Sequence, residues 1–205
     1  MREVLSFSAE HHPVGLMSQL QNIYGNDLVL SFSRYFYRPR QLLDERVVFD
    51  TPISVVNHDW LIDTISRLDE GWELALNSLV IDGRGRRRHL GMIDFIGRPP
   101  VDLVREAARN ILGPRVSASL ALFDSGRSIH GYSLILMGPS DWFKFLGRLL
   151  LMNSPGELPI VDERWVGHRL IGGYSALRWS ANSSHHSVVP HSLNRERKSK
   201  GNGGR

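Results

Sequence analysis

Apolar and polar positions along this chain recur with a strand-like period in some stretches and a helical period in others. Residues 14–24 predict a short helix and residues 27–33 a strand. Residues 57–68, with Trp60, Ile62, Ile65 and Leu68 among their apolar positions, predict a second helix. Two strands are expected at 77–82 and 88–95, joined by the hairpin-like run Gly83-Arg-Gly-Arg-Arg87. Residues 101–112 carry an amphipathic pattern entered after Pro99-Pro100 and closed by Gly113-Pro114, which is helix punctuation. Strands at 115–123 and 128–137 are expected around the turn Asp124-Ser-Gly-Arg127. A helix over 140–152 follows, with Ser140 as its N-cap. After it come a short strand at 158–161, a short helix at 163–171 ended by Gly172-Gly173, and an alternating strand over 174–180.

This order of elements predicts an α+β domain with a mainly antiparallel sheet and helices packed on one face. Residues 1–76 are read as the N-terminal part of the same globular unit and residues 77–182 as its core. From Ser183 the composition shifts to Ser, His, Asn, Gly and basic residues, and the stretch from Arg195 to Arg205 has no apolar residue. Residues 183–205 are therefore expected to form a disordered basic tail.

Hydrophobic content of 41% suffices for a packed core, and the longest apolar runs are too short to span a bilayer. The N-terminus has no basic region leading into an apolar stretch, so a soluble cytoplasmic protein is the expectation. The chain has no cysteine, which excludes disulfides, thiolate nucleophiles and cysteine-ligated zinc. Net charge is only +4, but Lys144, Lys198 and Lys200 are the only lysines among 25 basic residues. Arginine binds phosphate through a planar fork, which leans towards phosphate or nucleic-acid partners. An arginine-biased genome would produce the same excess.

Three short segments carry the candidate chemistry. Asp94 lies in the apolar run Leu90-Gly-Met-Ile-Asp-Phe-Ile96, where an unpaired carboxylate is costly and calls for an arginine, a hydrogen-bond network or a metal ion. Ser128 and His130 open a strand two residues apart, so both side chains share one face and are able to grip phosphate oxygens. Asp162 ends a short strand just before a helix, where it suits an N-cap and a metal ligand equally. Arg169 and Arg178 follow, either as cations for a phosphate or as ion-pair partners of the two acids. Arg84, Arg86, Arg87 and Arg88 crowd the hairpin; their mutual repulsion needs a counter-charge, which a nucleic-acid backbone would supply. His11-His12 and His185-His186 read as loop residues.

In that order and strand context, the three segments resemble the archaeo-eukaryotic primase superfamily, the primase-polymerase fold with its RNA-recognition-like core. The resemblance covers roughly residues 77–180 and marks 77–182 as a primase-like catalytic core. Met92-Ile-Asp94 or Asp94-Phe-Ile96 stands at the family's acidic motif, Ser128-Ile-His130 at its Ser-x-His motif and Val161-Asp162 at its later acidic motif. Arg178 stands at a basic strand position. The resemblance implies that Asp94 and Asp162 hold Mg²⁺ or Mn²⁺. It likewise implies that Ser128, His130 and Arg178 contact a nucleoside triphosphate; Arg169 is added here on its position. Asp94, Asp162 and His130 would be the catalytic residues.

The chain departs from the family at the first motif, which should place two acids on one strand face. Met92 and Ile96 are apolar there, so two-metal transfer lacks ligands unless an acid such as Asp82 or Asp124 completes the site. The implied function is a primase-type nucleotidyltransferase acting with DNA or RNA. The alternative is a catalytically weak primase-fold subunit that binds nucleic acid or helps to assemble a larger protein complex, as in a mobile-element or defence system.

Overall fold

The computed structural model describes residues 11–38 and 45–193. Among these, eight strands form one antiparallel sheet: β1 (Val29–Phe36), β2 (Glu45–Pro52), β3 (Trp72–Ile81), β4 (Arg87–Asp94), β5 (Leu120–Asp124), β6 (Ile129–Met137), β7 (Ala176–Arg178) and β8 (His191–Ser192). The spatial order is β2-β1-β3-β4-β6-β5-β8, and β7 pairs with β3 off that path. Six α-helices accompany it: α1 (Leu16–Tyr24), α2 (His58–Ser66), α3 (Val101–Ala107), α4 (Pro114–Ala118), α5 (Pro139–Leu150) and α6 (Glu163–Gly172). The fold is α+β and antiparallel, as the element order predicts. No helix among the described residues is long and apolar enough to cross a membrane.

The helices cover both faces rather than one. Met92 and Ile93 are adjacent on β4 and point to opposite sides. Met92 joins the core under α1 and α2, with Met17, Leu20, Phe32, Leu61 and Trp179. Ile93 joins the core under α3, α5 and α6, with Val104, Trp142, Leu146 and Val166. Gly131 on β6 permits this second packing, because a Cβ there would meet the Phe95 ring at 3.1 Å and Leu120 at 3.2 Å.

Several local expectations shift. Strand β2 escapes pattern reading because most of its residues on both faces stay exposed, as befits the sheet's edge. The segment expected as a strand from Arg115 opens instead as α4, since Pro114 at the first helical position favours a helix start. Helix α5 begins at Pro139 behind Gly138, one residue before its expected cap Ser140. Of 158–161, only Val161 pairs, through a bridge to Phe95. Residues 183–193 run back over the domain rather than trailing away. Ser183 N donates to Glu73 at 3.0 Å, Val188 O accepts from Arg178, and β8 pairs with β5. His12 lies in a loop, as expected, and is buried there. Its Nδ1 accepts from Val14 N at 3.0 Å, which leaves Nε2 as the donor to Trp179 O at 2.8 Å.

Strand β3 shares one edge between two partners. Its residues Leu79, Val80 and Ile81 pair with β4, whereas Ala75, Leu76 and Asn77 pair with β7. The sheet therefore forks. Ser78 stands at the branch, fully buried. Its amide donates to Ser175 O at 2.7 Å and its hydroxyl accepts from Ser175 N at 2.9 Å. The same hydroxyl lies 3.1 Å from Nδ1 of His89 on β4. Burial pushes His89 down to about 4, so the ring is neutral and one proton is shared between Nδ1 and the hydroxyl. Replacing Ser78 by Ala leaves a buried amide and a ring nitrogen without partners. The expected loss is about 1–3 kcal/mol, read from urea unfolding; a wild-type midpoint would show that the fork does not depend on this hydroxyl.

Candidate functional site

A cleft of about 640 Å³ opens in the fork, and Asp94, Ser128, His130, Asp162, Arg169 and Arg178 all line it. Strand register sets Asp94, the last residue of β4, opposite His130 on β6. The Ser128 hydroxyl donates to Asp94 Oδ1 at 2.9 Å. His130 Nε2 lies 3.9 Å from the same oxygen, too far for a hydrogen bond. Its buried Nδ1 has no hydrogen-bond partner among the described residues. Burial, reinforced by the charge of Arg178, pushes His130 down to about 3, so the imidazole is neutral.

Asp162 reaches the site because the chain beyond β4 pairs with the segment before α6. Ile96 N donates to Ile160 O at 2.9 Å, and Asp162 N donates to Asp94 O at 3.0 Å. Asp162 Oδ1 accepts from Trp165 N at 3.0 Å, so the residue is the N-cap of α6. Its second oxygen is the one left to face another group. Burial pushes the Asp94 carboxyl up to about 7, and the charge of Asp162 adds to the rise. The Ser128 hydroxyl, Arg178 and Arg169 pull the other way.

Arg178 is buried and turned to the backbone. Its guanidinium donates to the carbonyls of Ser125 (2.6 Å), Val188 (3.1 Å) and Ser180. It thereby joins β7, the turn before β6 and the segment after Trp179. That turn is further set by Asp124, whose Oδ1 accepts from Gly126 N at 2.7 Å, and by Ser125, whose hydroxyl donates to Ser128 O at 2.8 Å. Ser128 is thus aimed at Asp94 by a chain of bonds that begins at Arg178.

The arginine hairpin lies elsewhere. β4 begins at Arg87 and ends at Asp94, so its length separates the hairpin from the cleft, and none of Arg84, Arg86, Arg87 and Arg88 lines it. Part of their counter-charge is within the chain. Asp82 Oδ2 takes Arg86 at 2.8 Å and Arg88 at 3.1 Å, while Oδ1 accepts from the amides of Arg84 and Arg86, both at 3.0 Å. Asp82 is thereby spent, and Asp124 pairs with Arg98 at 3.1 Å. Neither acid completes the first motif.

The cleft also holds residues that motif reading missed. Trp165, His168 and Gly172 share helical spacing on α6 with the expected Arg169, a signal present in the sequence. Tyr35, Tyr37, Arg38 and Arg46 come from β1, β2 and the residues just after β1, and His186 from the segment read as tail. Nothing local marks these: strand β2 carries no clean alternation, and His186 is brought in by contacts far along the chain.

A family model described as AEP-like, archaeo-eukaryotic primase 1D-like, matches residues 53–191, and the chain belongs to that family. Searches of curated proteins and of solved structures found no match.

Two outcomes check this geometry. The folded pKa of Asp94 lies above its ordinary 3.8, so its contribution to stability is complete below pH 3.8 and is lost as pH rises through about 7. In metal-free buffer, Asp94→Asn should therefore raise the Tm at pH 8 and leave it nearly unchanged at pH 4; an equal shift at both would contradict the buried carboxyl. Arg178→Ala should destabilise the domain by roughly 3 kcal/mol in urea, because three carbonyls lose a charged donor. Arg178→Lys should recover only part of that, since an ammonium cannot span the same fork.

Proposed function

We propose that the cleft binds a nucleoside triphosphate together with one divalent cation, in a primase-type nucleotidyltransferase domain acting with DNA or RNA. The observation that carries this reading is the convergence of Asp94, Ser128, His130 and Asp162 at one corner of an arginine-rich cleft. Ser128 and His130 line the cleft beside Asp94, where a bound triphosphate would compete with Asp94 for the Ser128 hydroxyl proton. Arg169 adds charge from α6. Arg178 adds charge from behind while its donors hold the turn that carries Ser128.

The donor set fits a single Mg²⁺ or Mn²⁺. Such an ion is ordinarily held by one or two carboxylates, with phosphate oxygens and water completing the shell. Asp94 and the free oxygen of Asp162 supply those two carboxylates. When bound, the cation would neutralise phosphate charge and orient the α-phosphate for attack by a 3′-hydroxyl. A second ion lacks ligands, because the first motif offers only Asp94 and Asp162 spends one oxygen on its helix cap. This shortage favours the alternative in which the isolated chain is a weak polymerase and serves a larger complex as a nucleotide- or nucleic-acid-binding subunit.

Calorimetry with ATP and dNTPs is expected to show binding that strengthens with Mn²⁺, and His130→Ala should weaken it roughly tenfold without lowering the Tm. Primer synthesis by the wild-type chain should be weak or absent. The two apolar positions beside Asp94 are not equivalent. Met92 is fully buried, whereas Ile96 is 44% exposed and lines the cleft. Ile96→Asp should therefore raise Mn²⁺ affinity, and Met92→Asp should unfold the domain. No nucleotide binding with or without Mn²⁺ would overturn the reading, and vigorous templated synthesis by the wild type would overturn the single-ion assignment.

A further inference from the structure

Besides its acidic corner, the cleft has a wall of a different kind. It is built by β1, β2 and the two residues just after β1, and its residues precede the matched family region, which starts at Ile53. Register sets Arg46 on β2 across from Tyr35 on β1. The Arg46 guanidinium carbon lies 4.5 Å from the Tyr35 ring centroid, and the same side chain donates to Ser33 Oγ, which holds it against the sheet. Tyr37, two residues on, has its ring centroid 5.5 Å from that of His185 and 6.0 Å from that of His186. Arg38 beside it pairs with Glu45 at 3.3 Å and is half-exposed. Tyr174 lies across the wall, packed with Tyr35. Planar groups and arginines thus alternate along one side of the cleft.

Charge identifies the occupant. Six arginines line the cleft against two carboxylates, a balance suited to a polyanion. Planarity narrows it. Aromatic rings and an arginine backed by one are platforms for unpaired bases, and a groove that combines them with cations is the usual device for single strands. A mononucleotide brings one base, whereas this wall offers the Tyr37 ring, the Tyr35-backed Arg46 and Tyr174. We infer that the Tyr35–Arg46 and Tyr37–Arg38 wall is a platform for single-stranded nucleic acid, laying the strand across the cleft towards Asp94. This assignment rests on the nucleotidyltransferase reading for its purpose, and it moves the nucleic-acid contact from the Arg84–Arg88 hairpin to the β1–β2 ribbon.

The test is fluorescence anisotropy on the full-length chain with a labelled oligothymidylate of about ten nucleotides. Every variant keeps the same basic C-terminal residues, so their contribution cancels in the comparison. Tyr37→Ala should weaken binding about tenfold. Arg46→Lys keeps the charge but loses the plane; it should weaken binding several-fold with an unchanged salt slope. Arg84→Ala with Arg87→Ala should bind like wild type. Thermal melts establish that each variant is folded. Calorimetry with ATP and Mn²⁺ separates the two readings: Tyr37→Ala should bind ATP as wild type does. An equal loss of ATP and oligonucleotide binding in Tyr37→Ala would overturn the platform and make the wall a base pocket for the nucleotide. Wild-type affinity in both wall variants, or duplex binding as tight as single-strand binding, would also overturn it. Absence of ATP binding in the wild type, with Tyr37-dependent oligonucleotide binding intact, would remove the nucleotide reading and leave the platform standing.

Discussion

A strand edge presents one row of backbone donors and acceptors, and in this protein two strands divide the same row. β4 takes the half of β3 that ends at Ile81, and β7 takes the half around Leu76. Two strands cannot both continue along one edge, so they diverge, and the gap between them is the cleft. The divergence exposes backbone that must find partners. Ser78 meets that need at the branch by bonding both prongs. Further out, Glu73 is fully buried and takes the amides of Asn182 and Ser183, at 3.1 and 3.0 Å, together with the hydroxyls of Ser180 and Ser183. A buried carboxylate is tolerated only with such partners. Glu73 and Arg178 together bind the chain after β7 into the wall of the site.

The electrostatics follow from that geometry. The fork places Asp94 where burial raises its proton affinity and where Asp162 adds a second negative charge. Arginines from α6, β2 and the turn before β6 surround this pair. Two carboxylates set in a cationic cleft suit a phosphate-bearing ligand accompanied by a cation, and they suit an uncharged ligand poorly. The same set is too small for a pair of metal ions, because Asp162 spends one oxygen on its helix cap and the first motif offers only one acid. Of the two roles the sequence left open for Asp162, the cap is formed, with Oδ1 accepting from Trp165 N.

The legible part of the site was the part encoded locally. Asp94 in an apolar strand, Ser128 two residues from His130, and Asp162 before a helix each carry their signal within a few neighbours, and the structure brings all four to one corner. The same holds for the antiparallel α+β class and for most helix boundaries, where Pro, Gly and capping residues act over a single turn. In the arginine hairpin, Asp82 sits just before the run and folds back onto Arg86 and Arg88. Charge counting sees a cluster of like sign; only the turn shows that the cluster is already neutralised in part.

By itself, the sequence determined the α+β class, most of the strands and helices, and which side chains on one strand share a face, because these depend on neighbours a few bonds away. Tertiary structure alone decided that β3 divides its edge, that helices cover both faces, and that Ser183–Leu193 returns over the domain through Glu73, Arg178 and β5. It also decided that Tyr35, Tyr37 and Arg46 line the same cleft as Asp94. Those outcomes rest on hydrogen bonds and packing between segments tens to more than a hundred residues apart, and no local period or motif carries the identity of so distant a partner.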